Sequence, residues 1–462
     1  MEKSERPKAS RREDGIDLIS NMPDHILLLI LSRLKSTEEV IRSSILSRRW
    51  RYLWTSIPSL YIRCFRKGMH FKKNKFKEFV YRVLVNKSVD LDRLHLFCSN
   101  YYSMSTVGMW IYAAVRRNVK ELNLTFSPKD NTKDIELPHC LVACGSLKVL
   151  RLSLGYNVLR LLNVTGFPTL KVLSLTCVDF LEDNNLVKDF FQSCPLLEDL
   201  RLDDCVLNKL GLLCISCPKL KKLTIGNCYD DEEDMCGGIK ICCPKLVFLA
   251  LKGHIAYKFF FECLDSLKEA EIEPKLMDNT ISVFSGISQV ESLLIDVNFF
   301  TQCINTAFDP SLPNLKTLVL STTIGAFTME EFNRILKYYP KLESLKLIVI
   351  EKTKDIFDVV DRMTIFAISS KHKDQLWLTF TLAVLCISKY WRGQRSRNLL
   401  TLIPINGSVK VHEGDPRSIF TNDVKRVEIF ELNGEKPKLV IDLEEKVLLE
   451  IVFSWDYGIA LN

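Results

Sequence analysis

Cys214 and Cys217 form a C-x-x-C pair, and two thiolates at that spacing can supply half of a tetrahedral zinc site. No second C-x-x-C or His pair stands where the other half would have to be, so the sequence calls for no metal and no cofactor. The chain has 16 cysteines in 462 residues, and no apolar h-region follows Met1. They are expected to stay reduced and pack as small hydrophobes, which fits the cytoplasm or the nucleus. No phosphate-binding glycine loop, metal-binding His pair or G-x-S-x-G elbow is present, so no catalysis is expected.

The charged clusters read as solvated surface. Nine Lys or Arg between Tyr61 and Lys87 face the single acid Glu78. Phe71, Phe76, Phe79, Val80, Val83 and Leu84 recur among them largely at helical spacing, which predicts an amphipathic helix with a basic back rather than a nucleic-acid footprint. The acidic run Asp230 to Asp234 reads as a rim loop in water. The longest uncharged apolar run, Leu376 to Ser388, spans 13 residues. It falls short of the roughly 18 that cross a membrane and reads as a buried strand or core helix. With 47% apolar and 26% charged residues the composition is that of a folded protein. Its length implies two to four domains or one repeat array.

The sharpest pattern lies in residues 16–60, after a polar basic tail over 1–15. Pro23 suits a first helical turn, and Asp24 places negative charge at the helix start. Ile26, Leu27, Ile30, Leu31 and Leu34 make an apolar face. Ser36-Thr37-Glu38-Glu39 reads as a capping box for a second helix carrying Val40, Ile41 and Ile45. Ser47 caps a third, whose Trp50, Leu53 and Trp54 complete a thin core. Three short helices cannot hide this much apolar surface, and the surplus implies an interaction site.

The runs N-M-P-D-H-I-L-L-L-I-L-S-R-L and S-I-L-S-R-R-W-R-Y-L-W resemble the F-box of plant F-box/leucine-rich-repeat proteins of the FBD-associated type. Met22, His25 and Lys35 depart from the family's usual Leu, Glu and Pro. The resemblance implies docking to a Skp-type adaptor and, through it, a cullin. Carried over by position, Pro23, Ile26, Leu27, Ile30 and Leu31 would face the adaptor; Leu46, Trp50, Leu53 and Trp54 would join that surface or support it.

From Leu91 the phrase L-x-x-L-x-L returns with first positions at Leu91, Val119, Leu147, Leu170, Leu197, Leu220, Leu246, Leu267, Val290, Leu315 and Leu342, in steps of 21 to 28 residues. This is the signature of leucine-rich repeats, about eleven over 91–351, with 61–90 as a helical linker or N-terminal cap. Cys194-Pro195, Cys217-Pro218 and Cys243-Pro244 punctuate repeats before their strands, which accounts for Cys217 without metal. Cys205 and Cys228 lie just past their motifs, where relatives bury a small side chain.

The expected fold is α/β: a three-helix F-box, then a solenoid with a curved parallel sheet. Alternate strand positions face outward, and the concave-face candidates are Arg151, Asp199, Arg201, Asp203, Lys222, Phe248, Lys252 and Glu271. Their mixed charge fits a protein ligand rather than a small-molecule pocket. In 352–462 the phrase fades; a basic cluster at Lys389 to Arg397 precedes alternating stretches near Val424–Leu432 and Leu439–Phe453. They read either as capping strands or as an atypical tail. The reading as a whole is a non-catalytic specificity subunit of an SCF-type ubiquitin ligase with a protein substrate, no nucleic acid and no membrane. Its alternative is a repeat scaffold with a degenerate F-box and no ubiquitin role.

Overall fold

Alternate residues of an extended strand share one side, so the leucines of each L-x-x-L-x-L phrase must point the same way. A computed structural model describes residues 22–34, 36–66, 69–70, 72–98, 102–126, 135–161, 166–180, 184–227, 235–274, 280–297, 299–300, 312–323, 339, 342 and 344–351. It also describes the backbone strands at 362–369, 401–405, 408–411, 419–429 and 439–454. The tail over 1–15, Lys35, Cys228, Asp230 to Asp234, Leu376 to Ser388 and Lys389 to Arg397 lie outside the described residues. The chain divides into two compact units, Met1–Lys129 and Asp130–Asn462.

The first unit opens with helices α1 (Asp24–Ser32), α2 (Thr37–Arg42) and α3 (Trp50–Leu53). The Ser36 hydroxyl caps α2, accepting from the Glu39 amide at 3.3 Å; Ser47 accepts from the Trp50 amide at 3.4 Å, but the N-cap position of α3 is held by Arg49 and not by Ser47 as expected. Leu27, Leu31, Val40, Trp50, Leu53 and Ile57 close a small core, with Met22, Leu28 and Trp54 packed against it.

Strand β1 (Ser59–Arg63), helix α4 (Lys73–Val85), β2 (Arg93–Cys98), α5 (Met104–Val115) and β3 (Glu121–Phe126) follow. The strands pair in parallel, Leu60 with Leu94 and Leu94 with Leu122. Helix α4 buries Phe76, Val80, Val83 and Leu84 and leaves Lys75, Lys77 and Arg82 in water. Phe76 meets Trp110 of α5 edge-on at 6.3 Å, and Tyr102 lies 5.2 Å from Trp110.

Strand β1 corrects the repeat count. Ile57, Leu60 and Ile62 are buried and repeat the apolar phrase one copy before Leu91. The array therefore starts at the end of the helical module, and α4 is the helix of its first repeat. Isoleucine in two of three ladder positions hides this copy from a leucine-based pattern.

Ile57 belongs to both the helical core and the first ladder. Buried Lys87 locks the same joint, its Nζ donating to the carbonyls of Trp54, at 2.9 Å, and Ile57. The Ser88 amide donates to the Thr55 carbonyl at 3.1 Å. Burial, seconded by the Arg117 charge, lowers the Lys87 amine from 10.5 to about 8.

In the second unit nine parallel strands continue the pattern: β4 (Val149–Arg160), β5 (Val172–Phe180), β6 (Asp199–Asp203), β7 (Lys222–Asn227), β8 (Phe248–Gly253), β9 (Glu269–Pro274), β10 (Ser292–Asp296), β11 (Thr317–Thr323) and β12 (Ser344–Glu351). Neighbours pair in sequence order. The ladder Leu150, Leu173, Leu200, Leu223, Leu249, Ala270, Leu293 and Leu318 is fully buried. Behind it stand the helices Asn184–Gln192 and Thr280–Gly286 and a second parallel sheet of Leu213–Ile215, Ile239–Cys242 and Phe259–Glu262.

The Cys-Pro cysteines tie repeats together. The Cys217 thiol donates to the Phe191 carbonyl and that of Cys243 to the Ile215 carbonyl, each at 3.7 Å. Gly253 has φ +75°, and a Cβ there would sit 1.8 Å from the Asn227 carbonyl oxygen, so only glycine fits that turn. Beyond β12 the strand Arg362–Ser369 pairs with it antiparallel, and Leu439–Ser454 with Ile419–Ile429 continues outward.

Between pH 8 and 10.5 the folded chain binds fewer protons at Lys87 than the unfolded chain, so this lysine makes stability rise with pH across that window. In urea unfolding from pH 7.5 to 10, Lys87→Met is expected to lose this rise, by up to about 1.4 kcal/mol per pH unit. Equal pH slopes for the two proteins would refute it.

Candidate functional site

Six consecutive apolar residues, Ile26 to Leu31, wrap α1 with hydrophobic surface on every side. A helix apolar all round must be covered all round. The described residues cover one side only: Leu27 and Leu31 are fully buried, whereas Ile26, Leu29 and Ile30 face solvent, Leu29 with 53% of its surface free. Leu34, Ile45, Leu46 and Tyr52 are also exposed, at 41%, 88%, 63% and 68%. The same short module exposes Arg33, Arg42, Arg48 and Arg51. The result is an oily face set among cations.

The two halves of the F-box-like motif meet through charge. Arg49 Nε donates to Asp24 Oδ1 at 2.7 Å, and its Nη2 reaches the Met22 carbonyl. Asp24 thus sits at the α1 N-terminus while its carboxylate holds the segment entering α3.

Pro23, Ile26, Ile30 and Leu46 are exposed as a docking surface requires. Leu27 and Leu31 are corrected: they pack against the core of Trp50 and Leu53 and form no part of the exposed face. Trp50 and Leu53 are likewise buried, and half-buried Trp54 leans on them, so these three support the face from beneath. Leu29, Ile45 and Tyr52 were missed. Their signal was present in the unbroken apolar run of α1 and in apolar residues beyond what α2 and α3 could bury.

The second candidate surface is the solvent side of β4 to β9. In-register rows bring Asp199, Lys222 and Phe248 side by side, then Arg201 with Thr224, then Asp203 with Gly226 and Lys252. Arg151 stands in the Arg201 row across Ser174, and Glu271 at its far end beyond Ala250. All eight predicted residues therefore share one face. Lys252 Nζ bridges Glu271 at 2.5 Å and Glu273 at 3.8 Å, and Arg201 approaches Asp199 at 3.8 Å. Partial burial pushes the Asp203 carboxyl up, against the pull of Arg201. Glu269, Glu271 and Glu273 line β9 at alternate positions, giving that end of the face an acidic edge. No group of three or more metal-ligating side chains stands together among the described residues. No helix there is long and apolar enough to cross a membrane.

Comparison with known proteins bears on both surfaces. The F-box domain family model matches residues 19–61, and the model for the leucine-rich repeats of FBD-associated F-box protein At5g56370 matches residues 107–255. Putative FBD-associated F-box protein At5g56560 of Arabidopsis thaliana is 30% identical over 410 residues, 84% of this chain and 90% of the relative. FBD-associated F-box protein At5g56370 is 30% identical over 345 residues, covering 72% and 75%, and F-box/FBD/LRR-repeat protein At5g56420 is 29% identical over 346, covering 72% and 76%, both from the same plant.

The chain is an F-box/leucine-rich-repeat protein of the FBD-associated family.

In this F-box/leucine-rich-repeat protein the matched F-box ends at residue 61, inside the first repeat strand and past the joint that Ile57 and Lys87 fasten. The exposed and buried sides of α1 respond differently to truncation. Leu27→Ala is expected to cost about 2–5 kcal/mol of stability, and Ile30→Ala less than about 1 kcal/mol because nearly half of its surface is already in water. Chemical denaturation measures both; equal losses would contradict the split of the helix into a packed and a free side.

Proposed function

We propose that this protein is the substrate-recognition subunit of an SCF-type ubiquitin ligase, docking a Skp-type adaptor through its F-box and a protein substrate through its repeat face. The observation that carries the reading is the half-covered helix α1, whose Ile26, Leu29 and Ile30 lie in water on an otherwise folded module. Burying such a patch is worth about 25 cal/mol per Å² of apolar area, so a partner surface of apolar and acidic character is favoured there.

On the repeat side, Arg151, Asp199, Arg201, Asp203, Lys222, Phe248, Lys252 and Glu271 spread both charge signs and one aromatic ring over several strands. A folded protein or extended segment suits that breadth better than a compact metabolite. The chain itself does no chemistry in this reading. It holds the substrate near the ubiquitin-loaded subunits of the ligase, where tethering raises the effective concentration of the acceptor lysine. Such a subunit works in the cytoplasm or nucleus.

Titration with a recombinant plant Skp-type adaptor tests the proposal. The native chain is expected to bind, and Ile26→Asp and Ile30→Asp each to weaken binding at least tenfold, about 1.4 kcal/mol, with the thermal midpoint unchanged. A native chain that ignores the adaptor leaves a repeat scaffold without a ubiquitin role.

A further inference from the structure

The outer three-stranded sheet carries chemistry that docking does not use. Cys242 ends the strand Ile239–Cys242 and pairs in register with Glu262 of the neighbouring strand, and Cys263 is the next residue. The Cys263 side chain is near enough to that of Cys242 to help raise its thiol. Parallel strands lie about 4.8 Å apart and consecutive Cα atoms about 3.8 Å apart, so Cys263, in the turn directly after Glu262, is placed within reach of the Cα separations of about 4.4–6.8 Å that a disulfide spans. Cys263 has φ +52°, a region that residues with a side chain rarely adopt.

These two thiols differ from the cysteines that build the repeats. Cys194, Cys217 and Cys243 are buried, and burial pushes their thiols up to about 11, 12 and 11. Thiols so placed are inert packing groups. Cys263 is exposed and Cys242 half-buried, so solvent reaches the pair. Partial burial, with Cys263 and Glu262 beside it, raises the Cys242 thiol against the weaker pull of Lys240, which is itself bridged to Glu262 at 2.8 Å, so the exposed Cys263 is the sulfur that reacts first.

We propose that Cys242 and Cys263 are a redox-modification site, a dithiol that hydrogen peroxide closes to a disulfide and a small thiol reductant reopens. The exposed Cys263 thiolate attacks one peroxide oxygen; the O–O bond breaks, Cys263 becomes a sulfenic acid, and the departing hydroxide takes a proton to leave as water. The Cys242 sulfur then attacks the Cys263 sulfur. The S–S bond forms, the S–O bond breaks, and the hydroxide leaves as water with the Cys242 proton. Two thiols and one peroxide give one disulfide and two waters, and the two electrons lost by sulfur reduce the O–O bond. The closed pair staples two adjacent repeats on the side of the sheet away from the mixed-charge face. This site does not depend on the ligase reading.

Peptide mapping of the full chain under non-reducing conditions, after a few equivalents of hydrogen peroxide, tests it. One cross-linked pair joining Cys242 to Cys263 is expected, reversed by dithiothreitol, with Cys194, Cys217 and Cys243 alkylated only after denaturation. In Cys242→Ser, Cys263 is expected to be trapped by dimedone as its sulfenic acid; in Cys263→Ser, oxidation at Cys242 is expected to slow at least tenfold. Circular dichroism and the thermal midpoint report whether either variant still folds. Overoxidation of Cys263 in the native chain as fast as in Cys242→Ser, or its cross-linking to Cys214 instead, would overturn the assignment, as would peroxide leaving both thiols intact.

Discussion

Everything in the first unit turns on one shared residue and the lysine beside it. Ile57 closes the core of the three helices and is also the first rung of the repeat ladder, so neither can shift without disturbing the other. The Lys87 amine reaches back from the end of the first repeat to the carbonyl of Ile57 and to that of Trp54, which also accepts from the Ile57 amide. A buried carbonyl without a donor costs about 1–3 kcal/mol, and a buried ammonium is also unfavourable. The pairing makes each tolerable through the other. Three helices with a core of six residues are too few to stand firmly alone. Their stability is borrowed from the first repeats.

The repeat ladder was largely readable from the residues. Leucine at fixed offsets with steps of 21 to 28 residues leaves one solution, in which each phrase is a strand and the interval between phrases is the return. The first rung was not readable, because Ile57 and Ile62 replace leucines and Ile57 also fits the preceding helical pattern. The outer layer was also hidden. Segments such as Leu213–Ile215 and Ile239–Cys242 are too short for periodicity to separate strand from turn. Their pairing comes from the neighbouring repeat, not from local preference.

At helix α1, the sequence located the apolar excess but not which of its residues stay exposed. Six apolar residues in a row carry no amphipathic signal, so Ile26 and Leu27 look alike until α3 takes up its position. Packing against Trp50 and Leu53 decides it, drawing Leu27 and Leu31 inward and leaving Ile26, Leu29 and Ile30 outside. The outward residues of β4 to β9 were legible because strand alternation is strict. What each does there was not, since ion pairs such as Lys252 with Glu271 depend on strand register.

The register of β4 to β9 gives the mixed-charge face a direction. Along the row from Arg151 through Arg201 to Glu271, two cations stand at one end and one carboxylate, bridged to Lys252, at the other, with the small Thr224 and Ala250 between. For the protein substrate proposed above, a segment whose own charge runs from acidic to basic would meet opposite charges in one sense and like charges when turned end for end. Strand register would then distinguish the head of such a segment from its tail.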